Sequence, residues 1–489
     1  MNDGTAARGR APRLDELGRV HFLGLGGVGV SAVARLMQAR GVAISGTDAK
    51  DLPVLRELAA RGARVHVGYA AGNLGDAETV VASSIIKDGN PEYDEAKRRG
   101  LRILHRSEGL AATMEGHTVV TVAGTHGKTT TTSLIAVMLR EAGLSPSFAI
   151  GANVGGLGVN AELGTGRVFV AEADESDGSF MNYTPDVAVV TNVEADHLDH
   201  YGTAEAVHGI FREFAALLPE EGLLVACADD PGAAGLAAWA RSERPDLRVR
   251  TYGFSDASDL RLVGAAADGL RYSCTLEWGP GDRIELNLAV PGDHNLLNAA
   301  AAFAVGLDLG VEPGAAAAGL AAFRGASRRF EYRGEAAGVR VYDDYAHHPT
   351  EVAAALAAAR SVAGRHRVHV LFQPHLFSRT REFAGEFAAA LSQADAAHVL
   401  DVYPAREAPI PGVTSDLIVA GLATEGGLVA AEDAAAAVAA GAGPGDIVMT
   451  IGAGDVTEYG DRILAALAAA DGTADASGER IPTAGSGDA

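Results

Sequence analysis

Two glycine-rich stretches of this chain carry residues of the kind that bind phosphate groups. Gly24–Gly29 reads GLGGVG and follows the apolar segment RVHFL, whereas Ala123–Thr132 reads AGTHGKTTTT and follows HTVVTV. Glycines let the backbone turn its N–H groups toward an anion, and a helix that starts after such a loop adds its positive end. The sequence therefore predicts two phosphate sites in one chain.

The second stretch matches most of an ATP-binding phosphate loop. The strict pattern asks for glycine where this chain has Val122, but the GTHGKT core remains. In that pattern Lys128 reaches the β- and γ-phosphates and Thr129 offers its hydroxyl to Mg²⁺. An ordinary helix N-terminus capped by threonine is the alternative. We expect the nucleotide to contact Gly124, Thr125, His126, Gly127, Lys128, Thr129 and Thr130.

Two further side chains are candidate metal ligands beside this loop. Glu172 ends the apolar segment VFVA, and His197 follows VAVVTNV. Parallel strands of an open sheet present their carboxyl ends at one edge, where ligands bind. Either residue alone could be a cap or a surface group. Together with Thr129, they predict a site for Mg²⁺ bound to a nucleotide.

The first stretch fits the dinucleotide fingerprint G-x-G-x-x-G through Gly24, Gly26 and Gly29. Asp48 lies where an acidic side chain would meet a ribose hydroxyl. The pattern alone predicts NAD or FAD, but the diphosphate of a nucleotide sugar would be stabilised by the same helix N-terminus. Our full set of expected contacts at this loop is Gly24, Gly26, Gly27, Gly29, Asp48, Ser83 and Ser84.

Composition limits the classes of partner. The chain has 489 residues and a formal net charge of −23, which argues against a general nucleic-acid surface. Cys227 and Cys274 are its only cysteines, so neither a disulfide framework nor a zinc site is supported. The N-terminus has no apolar signal region, and no apolar stretch approaches the ~20 residues of a spanning helix. We expect a cytoplasmic protein without membrane insertion.

Strand-like and helix-like segments alternate along most of the chain, which predicts an α/β fold built on parallel sheets. Polar residues repeatedly follow the strand-like segments. The predicted domains are 1–114 around the first glycine loop, 115–322 around the second and 323–470 at the C-terminal side. The small, polar segment 471–489 is predicted to be a disordered tail.

Long motifs covering nearly the whole chain resemble the Mur ligase superfamily, and in particular its alanine-adding members. In order, they read GTHGKTTTT, VAEADESDGSF, TNVEADHLDHYG, GDHNLLNAA, DDYAHHPTE and FQPHLFSRT. The resemblance implies a Rossmann-like N-terminal domain, a central P-loop ATPase-like domain and a Rossmann-like C-terminal domain. It also implies that the first loop binds a UDP-sugar diphosphate and the second binds ATP.

The implied activity is ligation of L-alanine to the lactyl carboxylate of UDP-N-acetylmuramate in peptidoglycan precursor synthesis. ATP and Mg²⁺ are the implied cofactors, the carboxylate is activated as an acyl phosphate, and ADP is formed. Such phosphoryl transfer depends on positioning and charge neutralisation. The sequence leaves the choice between a monomer and a homodimer open.

The resemblance assigns roles to residues in the second half of the chain. Thr129, Glu172 and His197 match metal-binding positions, and Asn295 and Asn298 match residues near the nucleotide. Further residues match the C-terminal domain: Arg329 and Asp344 match residues that close over ATP, while Tyr345, His347 and Arg379 are candidates for the amino-acid pocket. His347 at a helix start and Arg379 as a solvated cation are the alternatives.

Two departures and three alternatives accompany this hypothesis. No lysine follows Lys128, whereas later-step ligases use one after the metal-binding histidine, so those ligases and folylpolyglutamate synthase are disfavoured. Tyr69 stands where the family pattern has histidine, which leaves its contribution to substrate binding open. A murein-peptide recycling ligase, a nucleotide-binding regulator and an NAD-dependent oxidoreductase are the competing functions.

Overall fold

Three β-sheets flanked by helices make up the computed structural model, which describes residues 12–83, 85–196, 198–405 and 407–476. The described residues form two compact units: one contains those up to 267 and 271–327, and the other contains 268–270 and those from 328 to 476. The predicted alternation of strands and helices is confirmed. Within the described ranges, no helix has the length and apolar character needed to cross a membrane.

The first sheet is parallel and contains the first glycine loop at its centre. Its elements are β1 (Val20–Leu23), α1 (Val28–Ala39), β2 (Ile44–Asp48), α2 (Pro53–Ala60), β3 (Arg64–Val67), β4 (Thr79–Ala82), α3 (Pro91–Arg98), β5 (Arg102–His105) and α4 (Arg106–Met114). The strand order is β3-β2-β1-β4-β5. The chain order reverses between β1 and β4, and ligands of such sheets bind at this switch point.

The second sheet is larger and contains the second glycine loop. Its elements are β6 (Thr118–Ala123), α5 (Lys128–Glu141), β7 (Ser147–Ala149), β8 (Ala161–Glu162), β9 (Val168–Glu172), β10 (Val187–Val190), α6 (Leu198–Tyr201), α7 (Ala204–Ala215), β11 (Leu223–Cys227), α8 (Pro231–Glu243), β12 (Arg248–Gly253), β13 (Leu260–Asp268), β14 (Arg271–Trp278), β15 (Arg283–Leu288), α9 (Asp293–Asp308) and α10 (Pro313–Ala321). The order is β15-β14-β13-β12-β11-β10-β6-β9-β7-β8. Parallel pairing of β6 with β9 and β10 brings three strand ends together.

The third sheet belongs to the second unit. Its elements are β16 (Glu331–Ala336), β17 (Val339–Asp344), α11 (Pro349–Ala363), β18 (Val368–Phe372), α12 (Phe377–Glu382), α13 (Ala384–Leu391), β19 (Ala396–Val399), α14 (Asp416–Val419), β20 (Glu425–Leu428), α15 (Ala434–Gly441), β21 (Ile447–Ile451) and α16 (Tyr459–Ala476). The order is β16-β17-β21-β18-β19-β20, in which β16 runs antiparallel to β17.

The central strands are mostly apolar and fully buried. Every residue of β1, β10, β11, β18 and β21 is buried. Strands that are buried on both faces read as continuous apolar runs rather than as alternating ones. The acidic side chains of the candidate sites lie at the last residue of a strand, as Asp48 does in β2, Glu172 in β9 and Asp344 in β17.

Two segments lie at the limits of the predicted domains. Residues 323–327, at the predicted start of the third domain, bond to the first unit: Gly155 N donates to Gly325 O at 2.8 Å, and Ser327 N donates to Asn153 O at 2.8 Å. Helix α16 reaches Ala476, so the predicted tail 471–489 begins as helix. Its remaining residues lie outside the described ranges. The three domain boundaries stay predictions.

Candidate active site

Glycines of the second loop are required by close packing against neighbouring side chains. Gly124 has φ +134°, and a Cβ there would lie 2.1 Å from Thr191 Oγ1. Gly127 has φ +80°, and a Cβ there would lie 2.8 Å from Asn298 Oδ1. Gly127 is also the residue before α5, so its left-handed conformation sets the direction in which the helix starts.

Lys128 is held at the mouth of this loop. Its Nζ donates to Glu175 Oε1 at 2.9 Å, to Gly124 O at 2.6 Å and to Thr125 O at 3.1 Å. Burial lowers the pKa of Lys128, but Glu175, Asp174 and Glu172 raise it more, so the net shift is upward. The ammonium is therefore charged at neutral pH and lies where a phosphate loop needs a cation.

Thr129 and Glu172 form the oxygen-rich part of the candidate metal site. Thr129 Oγ1 lies 3.1 Å and 3.0 Å from the two Glu172 carboxylate oxygens, and Gly151 N donates to Glu172 Oε2 at 2.9 Å. A hydroxyl and a carboxylate at this spacing are ligands of the type that Mg²⁺ prefers. These residues fit a magnesium ion. The third candidate ligand, His197, lies outside the described residues.

The other residues that we expect to contact the nucleotide lie in the second loop or beside it. Thr125, His126 and Thr130 are largely buried. Asn298 Oδ1 accepts from Thr131 Oγ1 at 3.1 Å, and Asn298 Nδ2 donates to Asn295 Oδ1 at 3.3 Å. The first of these bonds attaches the start of α9 to α5, and the second joins the two asparagines within α9. Their contact with a nucleotide stays a prediction.

Asn192, which sequence reasoning missed, supports the loop from the end of β10. Its Oδ1 accepts from His126 N at 2.7 Å, its Nδ2 donates to His126 O at 3.1 Å, and its O accepts from Thr125 N at 3.2 Å. The only signal was its place after an apolar strand in VVTNV. Because the Asn192 side-chain amide bonds to both the N–H and the carbonyl of His126, it fixes the conformation of the loop.

At the first loop, Asp48 bonds to the loop itself. Its Oδ2 accepts from Gly26 N at 2.8 Å, and its Oδ1 accepts from Lys50 N at 3.1 Å. A Cβ on Gly26 would lie 2.3 Å from Leu52 Cδ1, so no larger residue fits there without movement. Tyr69 lies nearby, and a Cβ on Gly24 would be 3.8 Å from its hydroxyl. Burial raises the pKa of Tyr69, and the nearby carboxylates of Asp48 and Glu92 raise it by smaller amounts.

A cavity of about 510 Å³ lies between the two sheets of the first unit and is lined by residues of both. From the first sheet it is lined by the glycine loop, Asp48, Tyr69 and Ser83, and from the second sheet by Glu172 and Asp174. Its size is that of a site for a small molecule. The candidate metal ligand Glu172 therefore faces the same space as the first glycine loop. Ser84 lies outside the described residues.

Asp174 is a second acidic group of this cavity that the sequence hypothesis did not select. Burial raises the pKa of its carboxyl, but Lys128, Arg106 and the hydrogen bonds from Ser176 together lower it by more. The net result is a pKa of about 2, below the usual value of 3.8. Its Oδ2 accepts from Arg106 Nη2 at 3.0 Å. The carboxylate is ionised at working pH, and its place two residues after Glu172 in EADES was the available signal.

In the second unit, Asp344 is buried at the end of β17. Its Oδ2 accepts from Phe330 N and its Oδ1 from Ala346 N, each at 2.8 Å. Burial raises its pKa to about 6, although Arg329 and these two bonds lower it. A carboxyl with such a pKa changes charge close to physiological pH.

Two other predicted residues of this unit, His347 and Arg329, lie close to Glu351. His347 Nδ1 lies 3.1 Å from Glu351 Oε2 and Arg329 Nη1 lies 3.8 Å from Glu351 Oε1. The Arg329 guanidinium lies 5.3 Å from the centre of the Tyr345 ring. Arg379 is placed on α12 and is buried. The unit thus brings Arg329, Tyr345 and His347 together, with Asp344 beside them in the chain.

Models of the Mur ligase family match three consecutive parts of the chain. The catalytic domain of the family matches residues 19–118, the middle domain 122–306 and the glutamate ligase domain 328–454. The chain is 65% identical over 454 residues to UDP-N-acetylmuramate–L-alanine ligase of Paenarthrobacter aurescens, covering 93% of this chain and 98% of that protein.

Two solved structures have similar folds. One is UDP-N-acetylmuramate–alanine ligase from Thermotoga maritima, with a TM-score of 0.76, 28% identity and coverage of 91% of this chain and 98% of that one. The other is a murein peptide ligase from Psychrobacter arcticus, with a TM-score of 0.68, 25% identity and coverage of 92% and 99%. The three-domain α/β architecture expected from the sequence agrees with these matches, and the chain belongs to the Mur ligase family.

Proposed function

We propose that this chain joins L-alanine to the lactyl carboxylate of UDP-N-acetylmuramate, with conversion of ATP to ADP and phosphate, in peptidoglycan precursor synthesis. The observation that carries this proposal is the cavity shared by the first glycine loop and Glu172. A UDP sugar bound at that loop would extend its acid group toward the nucleotide site. The 65% identity to an alanine-adding ligase supports L-alanine as the acceptor.

The proposed reaction has two steps. A lactyl carboxylate oxygen attacks the γ-phosphorus of ATP, ADP leaves, and an acyl phosphate forms. The amine of L-alanine then attacks the acyl carbon, the carbon–oxygen bond to phosphate breaks, and the amine loses a proton. Each residue contributes by placing groups and balancing their charge rather than by forming a covalent bond to the substrate.

The geometry of the second loop supports the roles that we propose for its residues. Lys128 would neutralise the transferred phosphoryl group, because its ammonium is fixed at the loop by Glu175 and two carbonyl oxygens. Thr129, Glu172 and His197 would hold Mg²⁺. When bound, that ion supplies charge neutralisation at the phosphates. Asn295 and Asn298 would contact the nucleotide beside the loop.

The second unit is proposed to contribute Arg329 and Asp344 to nucleotide binding and Tyr345, His347 and Arg379 to alanine binding. Support comes from the family resemblance, from the placement of Arg329 and His347 beside Glu351, and from the contact of Arg329 with the Tyr345 ring. We also propose a cytoplasmic location, because both cysteines are buried as free thiols.

The test is phosphate release from purified protein with ATP, Mg²⁺ and UDP-N-acetylmuramate. L-Alanine, the tripeptide L-alanyl-γ-D-glutamyl-meso-diaminopimelate and no acceptor would be compared, with mass spectrometry of the product. We expect release and an alanylated product with L-alanine. Turnover with the tripeptide alone would replace the proposal by peptide recycling, to which the Psychrobacter structure points. No turnover with either acceptor would favour a regulator.

A further inference from the structure

Asn160 connects the two sheets of the first unit through a buried side chain. It directly precedes β8 in the second sheet, and it is only 2% exposed. Its Nδ2 donates to Val28 O at 3.1 Å, and its Oδ1 accepts from Arg35 Nη1 at 2.5 Å. Both partners belong to α1. Asn160 therefore attaches the helix that follows the first glycine loop to the second sheet.

The two bonds hold α1 along one face. Val28 is the first residue of the helix, directly after the glycine loop residue Gly27, and Arg35 lies seven residues later. Residues seven apart are two turns apart and share a face, so the two bonds fix both the position and the rotation of the helix start. Arg35 is itself held by Glu57 of α2: Nε donates to Oε1 at 3.1 Å and Nη2 to Oε2 at 2.7 Å.

The backbone of Asn160 continues this connection to the candidate metal site. Its O accepts from Ile150 N at 2.8 Å, directly after β7. The next residue, Gly151, donates its N–H to Glu172 Oε2 at 2.9 Å. A short run of hydrogen bonds therefore leads from the start of α1 to the carboxylate that is proposed to hold Mg²⁺.

An amide at this buried position fixes a geometry that an apolar side chain would not. The Asn160 amide uses a donor and an acceptor on two different atoms of α1. Hydrogen bonds restrict both distance and angle, whereas the hydrophobic effect has no direction. An aliphatic side chain of similar size would fill the space and still let α1 slide or rotate against the second sheet.

We propose that Asn160 is a positioning residue that sets the separation between the first glycine loop and Glu172. This inference rests on the proposed function for the reaction in which that separation matters. Phosphoryl transfer needs the reacting atoms at a close, aligned approach, and a displacement of about 1 Å can lower the rate by ~100-fold. The part of the cavity lining that the structure describes includes Val28, Ile150 and Gly151 but not Asn160, so Asn160 acts through the elements that it joins.

The kinetic test compares the wild type with Asn160→Ala, which removes both bonds to α1, and Asn160→Asp, which keeps the acceptor for Arg35 and loses the donor for Val28 O. We expect kcat to fall roughly 10- to 100-fold in both variants, while the dissociation constants of UDP-N-acetylmuramate and ATP change by less than about threefold, because each loop keeps its own contacts. Steady-state kinetics and calorimetry measure these quantities.

Gln38→Ala is the matched control. Gln38 is also an amide on α1, but its Nε2 donates to Leu58 O at 3.4 Å and to Arg61 O at 3.0 Å, on the side of the first sheet. It does not take part in the bonds between α1 and Asn160. We expect this variant to keep the kcat of the wild type.

Pulsed electron paramagnetic resonance measures the separation directly, between spin labels on Ala59→Cys in α2 and Ala238→Cys in α8. Both positions are exposed. Burial raises the pKa of Cys227 to about 11 and that of Cys274 to about 12, so the labels react with the introduced thiols. The distance distribution should shift or broaden in Asn160→Ala and stay unchanged in Gln38→Ala.

Three results would overturn the inference: an unchanged kcat in both Asn160 variants, an unchanged label distance in Asn160→Ala, or a fall in kcat with equal losses of both substrate affinities. The last pattern indicates a general structural role. Absence of turnover in the wild type would count against the proposed function, and the label distance would still decide whether Asn160 sets the separation.

Discussion

Lys128 is the residue on which phosphoryl transfer depends most in this account. We expect Lys128→Ala to lower kcat by on the order of 10²–10³ or more, because a fixed cation at the transferred group is lost. Affinity for UDP-N-acetylmuramate should be nearly unchanged, since the sugar is assigned to the first loop. Steady-state kinetics and calorimetry measure the two effects separately.

The control for this variant addresses folding. Removing Lys128 leaves the buried Glu175 carboxylate without this cation, and loss of one member of a buried pair costs about 3–5 kcal/mol. The double variant Lys128→Ala/Glu175→Gln should recover melting temperature without recovering turnover. If the sugar no longer bound Lys128→Ala, the assignment of two separate sites would be contradicted.

The raised pKa of Asp344 predicts that the stability of the protein depends on pH. Its folded pKa of about 6 lies above the usual value of 3.8, so the folded chain holds this proton through a range in which the unfolded chain has lost it. Stability therefore falls as pH rises from about 4 to 6, by on the order of 3 kcal/mol for this group. Asp344→Asn lacks this titration.

Calorimetric melting of the wild type and Asp344→Asn between pH 4.5 and 7.5 measures that effect. The difference between their melting temperatures should move in favour of the variant as pH rises and level off above pH 6. Asn also loses one of the two acceptors that Asp344 offers to backbone N–H groups, which shifts the difference by a constant amount. A pH-independent difference would show that Asp344 does not titrate in this range.

At the scale of elements, the junction between β6 and α5 depends on Gly127. Gly127→Ala places a Cβ 2.8 Å from Asn298 Oδ1 at φ +80°. We expect a loss of about 1–2 kcal/mol from the left-handed conformation, and a larger fall in ATP-dependent turnover because the loop must shift.

The matched control is Gly235→Ala within α8, where φ is ordinary and no atom lies within 4 Å of the new Cβ. It should be neutral or stabilising by about 0.5–1 kcal/mol, because alanine favours helix. Thermal melting and turnover of both variants provide the comparison. Equal effects of the two substitutions would mean that the Gly127 conformation is not required.

Sequence patterns predicted the elements that carry both glycine loops. An apolar strand, a glycine turn and a helix are encoded locally, so β1 with α1 and β6 with α5 follow from adjacent residues. The supporting contacts of Asn192 and the Arg106–Asp174 pair join residues far apart in the chain. Those contacts depend on strand order, which no local pattern specifies. Asp48 likewise was expected at a ribose, whereas its bond to Gly26 depends on the loop conformation.

At the scale of the whole molecule, one cavity connects the sheet of the first glycine loop to that of the second. The chain has a net charge of −23, so its overall charge does not attract two anionic substrates. Their binding therefore depends on local backbone N–H groups and on a few cationic side chains. Residues of the second unit are proposed to complete the reaction. We propose that both loops serve a single phosphoryl transfer, from ATP to the acid group of the UDP sugar.

The most direct test uses UDP-N-acetylmuramate labelled with ¹⁸O in both lactyl carboxylate oxygens. With ATP, Mg²⁺ and L-alanine, mass spectrometry would follow the label into phosphate and product. We expect one ¹⁸O in the released phosphate and one in the new amide, because the oxygen that attacks phosphorus leaves with it. Released phosphate without label would contradict the account, since ATP would then be hydrolysed by water and the two loops would not act in one reaction.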